Sequence, residues 1–200
     1  DGARATGLYT TALGSNSRSA SDFSMAVGFN SYAHRRYATA VGTAAYAAFA
    51  GTSLGISARA GAKGATALGA DSRVSSPGGV AIGDHAYVGQ YGVNAQNGVA
   101  VGYHASAQGY ASIAQGGNAL AEGDSSIAIG NTSLASGDYG TAVGPFAVAQ
   151  GASSAALGDT ANALGDNSVA VGSNAYAGSG NGIAIGNGAY VAPQGQIDIA

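Results

Sequence analysis

Cysteine and tryptophan are absent from the 200 residues, and proline occurs only 3 times. Without cysteine there is no disulfide framework and no thiolate metal site. Charged residues make up only 8%, whereas disordered chains usually carry more charge and less apolar content. No apolar run reaches the roughly 18 residues that would read as a membrane span. Glycine, at 35 residues, is too sparse for a collagen triple helix, which needs every third position. The opening Asp1-Gly2-Ala3-Arg4 has no signal-peptide character, so if the protein is exported its signal and anchor are expected outside this segment. What is present is Ala, Gly, Ser and Val, with 11 Tyr, a composition suited to close packing of small side chains.

Charge is unevenly placed. All seven basic residues (Arg4, Arg18, Arg35, Arg36, Arg59, Lys63, Arg73) lie in 1–73 with three acids, a net of 7 − 3 = +4. Residues 74–200 hold seven acids and no Lys or Arg, a net of −7.

A tetrapeptide of the type (Thr/Val/Ile)-Ala-(Val/Leu/Ile)-Gly recurs down the chain. Its glycines are Gly14, Gly28, Gly42, Gly55, Gly69, Gly83, Gly102, Gly116, Gly130, Gly144, Gly158, Gly172 and Gly186. The spacing is 14 in ten of twelve intervals; it is 13 before Gly55 and 19 before Gly102. A fourteenth copy begins at Ile197. Small residues recur three and five places after the glycine, as at Ala105 and Ala107 or Ala161 and Ala163, and a second Gly often follows at seven, as at Gly109, Gly123, Gly137, Gly151 and Gly165. Alanine favours helix, but glycine would enter every second turn at about 1 kcal/mol each. The apolar pattern also alternates, as in Ile127-Ala128-Ile129, which is a strand signature. Short strands gain stability only by stacking on identical neighbours. The chain therefore reads as an all-β, parallel β-solenoid of about 14 rungs, one repetitive domain over 1–200 with an insertion near 89–94.

Aligning the repeats on the glycine separates the faces. Two places before it stands Ala in all but one copy, Ser53 being the exception; a 14-residue coil is too narrow for large interior side chains, so this column is the interior. Its neighbours must point outward, yet they are apolar. The column one before the glycine is Leu13, Val27, Val41, Leu54, Leu68, Ile82, Val101, Gln115, Ile129, Val143, Leu157, Val171 and Ile185. Such a stripe exceeds the apolar patches soluble monomers expose. It needs a cover: a second copy of the chain, in a parallel homo-oligomer, or a domain from elsewhere in the full protein. Gln115 interrupts the stripe. In a symmetric interface it would bond to its copies, to water or to a small ion; irregular packing is the alternative.

Ser126-Ile127-Ala128-Ile129-Gly130-Asn131-Thr132-Ser133-Leu134-Ala135 and Ser168-Val169-Ala170-Val171-Gly172-Ser173-Asn174-Ala175-Tyr176-Ala177 resemble the S-V-A-I-G-x-x-S-x-A repeat of YadA-like heads in trimeric autotransporter adhesins. The resemblance covers nearly the whole chain; the short and long intervals depart from it. It implies a single-stranded left-handed parallel β-roll, a homotrimer, and a head projecting from a stalk anchored in a Gram-negative outer membrane. It also implies a cell-adhesion and virulence function: attachment to host matrix proteins of the collagen, fibronectin or laminin class, to cell-surface receptors and glycans, or to other surfaces.

Three features are candidates for adhesion. The residues four after the glycine point outward on the other sheet: Arg18, Tyr32, Tyr46, Arg59, Arg73 and Tyr87, then Ser106, Leu120, Leu134, Val148, Asn162, Tyr176 and Tyr190. Tyr and Arg are enriched in binding hot spots; cross-rung stacking of strand formers is the plainer reading. The basic first third could steer the head toward acidic glycans, or reflect drift of surface charge. The insertion, with Tyr91, could form a binding loop or a tolerated bulge.

Catalytic, cofactor and metal sites are not expected. His34, His85 and His104 follow no ligand spacing, and the acids do not cluster by sequence as a hard cation needs. Asp84, Asp124, Asp138, Asp159 and Asp166 each follow a glycine, which reads as local turn bonding. Gly61-Ala62-Lys63-Gly64-Ala65-Thr66 lacks the ending of a phosphate loop. The negative net charge argues against nucleic acid. Two other functions fit a solenoid: a spacer rod projecting another domain, and an ice-binding surface. The latter needs a regular threonine ladder, and Thr11, Thr39, Thr52 and Thr66 give way to Val and Ile from Val80 onward.

Overall fold

The computed structural model describes residues 2–89, 96–192 and 197–199. They form an all-β parallel β-solenoid of about 13 turns, with no helix among the described residues. Each turn has a three-residue strand such as Ile127–Ile129 and a two-residue strand such as Leu134–Ala135. The copy beginning at Ile197 supplies the strand Ile197–Ile199. Contacts divide the chain into two units, 1–104 and 105–200.

In each unit the three-residue strands make one parallel sheet and the two-residue strands another. In the first unit Thr66–Leu68 pairs in register with Val80–Ile82, and Arg73–Val74 with Tyr87–Val88. In the second, Ile127–Ile129 pairs with Thr141–Val143 and Leu134–Ala135 with Val148–Ala149. The short interval is absorbed without slippage, since Thr39 pairs Thr52 and Val41 pairs Leu54. The long one is too: Val80 pairs Val99. A slip of one residue would turn the alanine column outward, so the length changes are confined to the corner that follows a two-residue strand.

The interior is the expected one. The central residues of the long strands (Ala26, Ala40, Ser53, Ala67, Ala128, Ala170 among them) are fully buried, as are small residues of the facing strands such as Ala105, Ala107, Ala161 and Ala163. Larger interior side chains occur only with compensation. Val74 and Val88 are fully buried beside Gly79, where a Cβ would come within 2.8 Å of a methyl of each.

The two corners differ. The first follows the long strand, as at Gly130-Asn131-Thr132. Gly130 has φ 137, and a Cβ there would strike the carbonyl of Gly144 in the next turn. This position takes glycine for two independent reasons, backbone conformation and contact between stacked turns. The second corner follows the short strand, as at Gly137-Asp138-Tyr139. The last residue of each corner is left-handed: Thr132 at φ 55 and Tyr139 at φ 59.

Candidate functional site

The outward columns take the faces expected of them. Of the aliphatic column before the glycine, Leu13 (64%), Leu54 (51%), Ile82, Leu157 and Ile185 are exposed, and the other aliphatic members are half-buried. Gln115 is exposed within it.

The opposite sheet carries the Tyr/Arg column, and in the first unit it is a contact chain. The Arg18 guanidinium lies 5.4 Å from the Tyr32 ring centroid, Tyr32 meets Tyr46 edge-on at 5.8 Å, and Arg59 lies 5.0 Å over Tyr46. Tyr32 and His34 share a hydrogen bond of 2.5 Å, and the His34 ring stacks on Tyr46. Arg73 continues the column by register, between Arg59 and Tyr87. In the second unit only Tyr176 and Tyr190 join, stacked at 5.0 Å. Between Ser106 and Asn162 the column is Leu120, Leu134 and Val148, lining an open groove of about 420 Å³ with Phe146. Tyr91 and most of the insertion fall outside the described residues.

The aspartates do two kinds of work. At the first corner they bond locally as expected: Asp84 accepts from or shares a proton with His85 Nδ1 at 2.6 Å, and Asp159 accepts from the Thr160 hydroxyl at 3.0 Å. At the second corner the expectation of purely local bonding needs correcting. Asp124 accepts from the backbone N–H of Tyr110, Asp138 from that of Asp124, and Asp166 from that of Ala152. Each carboxylate clips its own turn to the one before.

Stacking also assembles groups that sequence spacing does not flag. Ligand atoms of Asp71, Asp84 and His85 lie within 4.8 Å of one another, and His85 stacks on His104 at 4.7 Å. All four residues are exposed, and this grouping by itself does not define a metal site.

A second column was missed by sequence reasoning. On the second corner of the first unit, Tyr9, Phe23 and Tyr37 stack in succession, with centroids 5.3 and 5.5 Å apart and planes within 18°. Phe49 extends the row edge-on at 6.4 Å. They are 81%, 47%, 52% and 38% exposed. Tyr9, Phe23 and Tyr37 are left-handed, at φ 54, 55 and 60, a conformation that costs a residue with a Cβ about 1–2 kcal/mol. Ring stacking returns about 0.5–1.5 kcal/mol per pair, so the row adds little net stability. Arg36 lies 5.4 Å from the Tyr37 centroid and Lys63 lies 5.9 Å from that of Phe49. The signal was available in the 14-residue spacing of Tyr9, Phe23 and Tyr37, but Phe49 stands at the middle position of its corner, one place before the left-handed Ala50, and so is out of that column.

Short strands, two alternating sheets, an interior of alanine and a column of stacked glycines define the class: a β-solenoid with apolar and polar side chains on its outward faces. Residues 5–31, 49–72, 60–86, 94–119, 107–133, 121–147, 135–161, 149–175 and 163–189 match the family model for the YadA head domain repeat. The chain belongs to that family, the YadA-like heads of trimeric autotransporter adhesins, which are structural adhesin domains rather than enzymes. No curated protein matches the chain.

Proposed function

We propose that residues 1–200 are one head domain of a cell-surface adhesin: three copies associate in parallel through the aliphatic stripe, and the outer faces attach a bacterium to host matrix, cells or other surfaces. The left-handed roll, the homotrimer and the outer-membrane anchor come to this reading from the family. Matrix proteins of the collagen, fibronectin or laminin class and cell-surface glycans are the partners it implies.

The observation that supports it most is the exposed stripe on the outward side of the long strands. Fully burying one Leu, Ile or Val side chain returns about 1.5–3 kcal/mol, and association costs about 4–15 kcal/mol in lost freedom. A handful of the positions Leu13, Val27, Val41, Leu54, Leu68, Ile82, Val101, Ile129, Val143, Leu157, Val171 and Ile185 therefore suffices to hold copies together. In a symmetric parallel assembly Gln115 would meet its own copies. The Tyr/Arg chain Arg18, Tyr32, Tyr46, Arg59 and Arg73 is left on the other sheet, free to make contacts.

The test is the mass of the purified chain by light scattering, followed by attachment of chain-coated beads to matrix proteins and cultured cells. Three times the 19.0 kDa chain, with attachment, is the expected result. A folded monomer overturns the stripe as an interface, and a trimer that attaches to nothing makes this segment a spacer.

A further inference from the structure

The second corner of the first unit departs from the pattern that stabilises the same corner elsewhere, and the departures point the same way. Tyr9, Phe23 and Tyr37 occupy left-handed positions that suit Asn or Gly, and their rings lie outside the roll. Centroid spacings above 5 Å mean offset stacking, so part of each ring face stays open. The place beside the ring, which holds the clipping aspartates of the second unit, holds Arg36 and Lys63 here. Arg35 is exposed next to Arg36. Asp22 is the one acid on this ridge among the described residues, and it is already engaged by the N–H of Leu8 and by Arg36 at 3.9 Å.

This is also the corner that absorbs both changes of repeat length.

We propose that the ridge formed by Tyr9, Phe23, Tyr37 and Phe49 with Arg36 and Lys63 is a binding platform for an acidic polysaccharide. Pyranose C–H faces lie against the open ring faces, and carboxylate or sulfate groups pair with Arg36 and Lys63. One ring per turn suits a ligand that repeats along its length. A peptide adding as a strand is disfavoured, because the corner's backbone is already paired: Phe23 N–H donates to Leu8, Tyr37 to Asp22 and Ala50 to Arg36.

The proposal rests on the reading of the chain as an attachment head, and its test separates the two. Isothermal titration of the purified chain uses a heparin-derived hexasaccharide, with maltohexaose as the neutral control. The expected result is binding of the sulfated sugar only, weakening as salt is raised. The double variant Phe23→Asn/Tyr37→Asn should weaken binding by about tenfold or more, a loss of about 1.4 kcal/mol, while its melting temperature holds or rises. Arg36→Gln/Lys63→Gln should weaken binding several-fold and flatten the salt dependence. Tyr139→Asn, at the same corner of the second unit, should change nothing.

Failure of the chain to bind the hexasaccharide overturns the proposal. So does unchanged affinity in the ring variant, which would reduce the interaction to diffuse charge. If chain-coated beads attach to cells and the ring variant attaches equally well after the glycans are stripped, the head still adheres but not through this ridge. If unmodified beads never attach, the attachment reading itself fails, whatever the titration gives.

Discussion

The second corner is built in two ways within one chain. In residues 105–200 its middle position is Asp in three turns (Asp124, Asp138, Asp166), each clipping the preceding turn, and Tyr110, Ala152 or Gly180 in the others, and its left-handed position is mostly Ala, Ser or Asn. In residues 1–104 the middle position is Leu8, Asp22, Arg36, Phe49 or Lys63, with only Asp22 making the clip, and the left-handed position is aromatic in Tyr9, Phe23 and Tyr37. The backbone hydrogen bonds are the same, as in Phe23 to Leu8 and Tyr139 to Asp124. The repeat tolerates both because the stacked backbone carries the fold and the corner side chains are added to it. A solenoid can thus tune each corner for stability or for contact without altering its neighbours.

The largest expected effect tests the shared part of that comparison. Gly130→Ala and its first-unit counterpart Gly28→Ala each force a Cβ into the next turn's backbone at positive φ. Both should lose more than about 4 kcal/mol of stability, beyond the ordinary range for point changes, or fail to fold. Chemical denaturation of each checks it. If one variant were tolerated, that unit's stacking would be looser than the carbonyl contact implies.

Next comes interior volume. Val74 is accommodated because Gly79, five residues on, leaves room, whereas Ala163 has Ser168 at that place, the same separation that brings Ser19 and Ser24 into contact. Ala163→Val should cost about 1–3 kcal/mol by overpacking. Adding Ser168→Gly should recover most of it. A double variant no better than the single would mean the two columns do not face each other in the second unit.

The reciprocal exchange at the second corner is smaller. Asp138→Arg removes the bond to the Asp124 N–H, an exposed contact at 2.9 Å, and should cost about 1 kcal/mol. Arg36→Asp recreates that arrangement above Asp22 and should be neutral or slightly stabilising, despite bringing two carboxylates onto adjacent turns, since Asp124 and Asp138 already coexist in this way. Hydrogen exchange at the N–H groups of residues 124 and 22 reports the clips directly: protection should fall in the first variant and rise in the second.

What could be read from the sequence follows from what stacking preserves. The glycine at the first corner, the buried Ala and Ser column and the outward Leu, Val and Ile column recur at fixed positions, so aligning repeats places them on the right faces. Contacts between turns were less legible. The bond from Asp138 to the turn before, and the Tyr9–Phe23–Tyr37 row, depend on positions whose residue type changes from copy to copy. Phe49 meets those rings from the middle position of its corner rather than from the left-handed one, which Ala50 fills. The grouping of Asp71, Asp84 and His85 escaped for the same reason, since its members share a corner only once two turns are stacked.

The smallest effect separates two serines of the second unit that the alignment treats alike. Ser112 and Ser168 stand at the same repeat position and are fully buried. The Ser112 hydroxyl donates to the Gly109 carbonyl at 2.9 Å, whereas that of Ser168 has no hydrogen-bond partner. In the first unit Ala38 and Ala65 fill the equivalent positions, also fully buried, so the column accepts a methyl group. Ser112→Ala should therefore lose about 0.5–1.5 kcal/mol, the net worth of one hydrogen bond. Ser168→Ala should be neutral or stabilising, because it removes a buried hydroxyl that has given up water without compensation. Melting temperatures of the two variants, measured side by side, decide it. Equal losses would mean the Ser168 hydroxyl bonds to the Gly165 carbonyl as Ser112 does to Gly109, and that the two turns are equivalent after all.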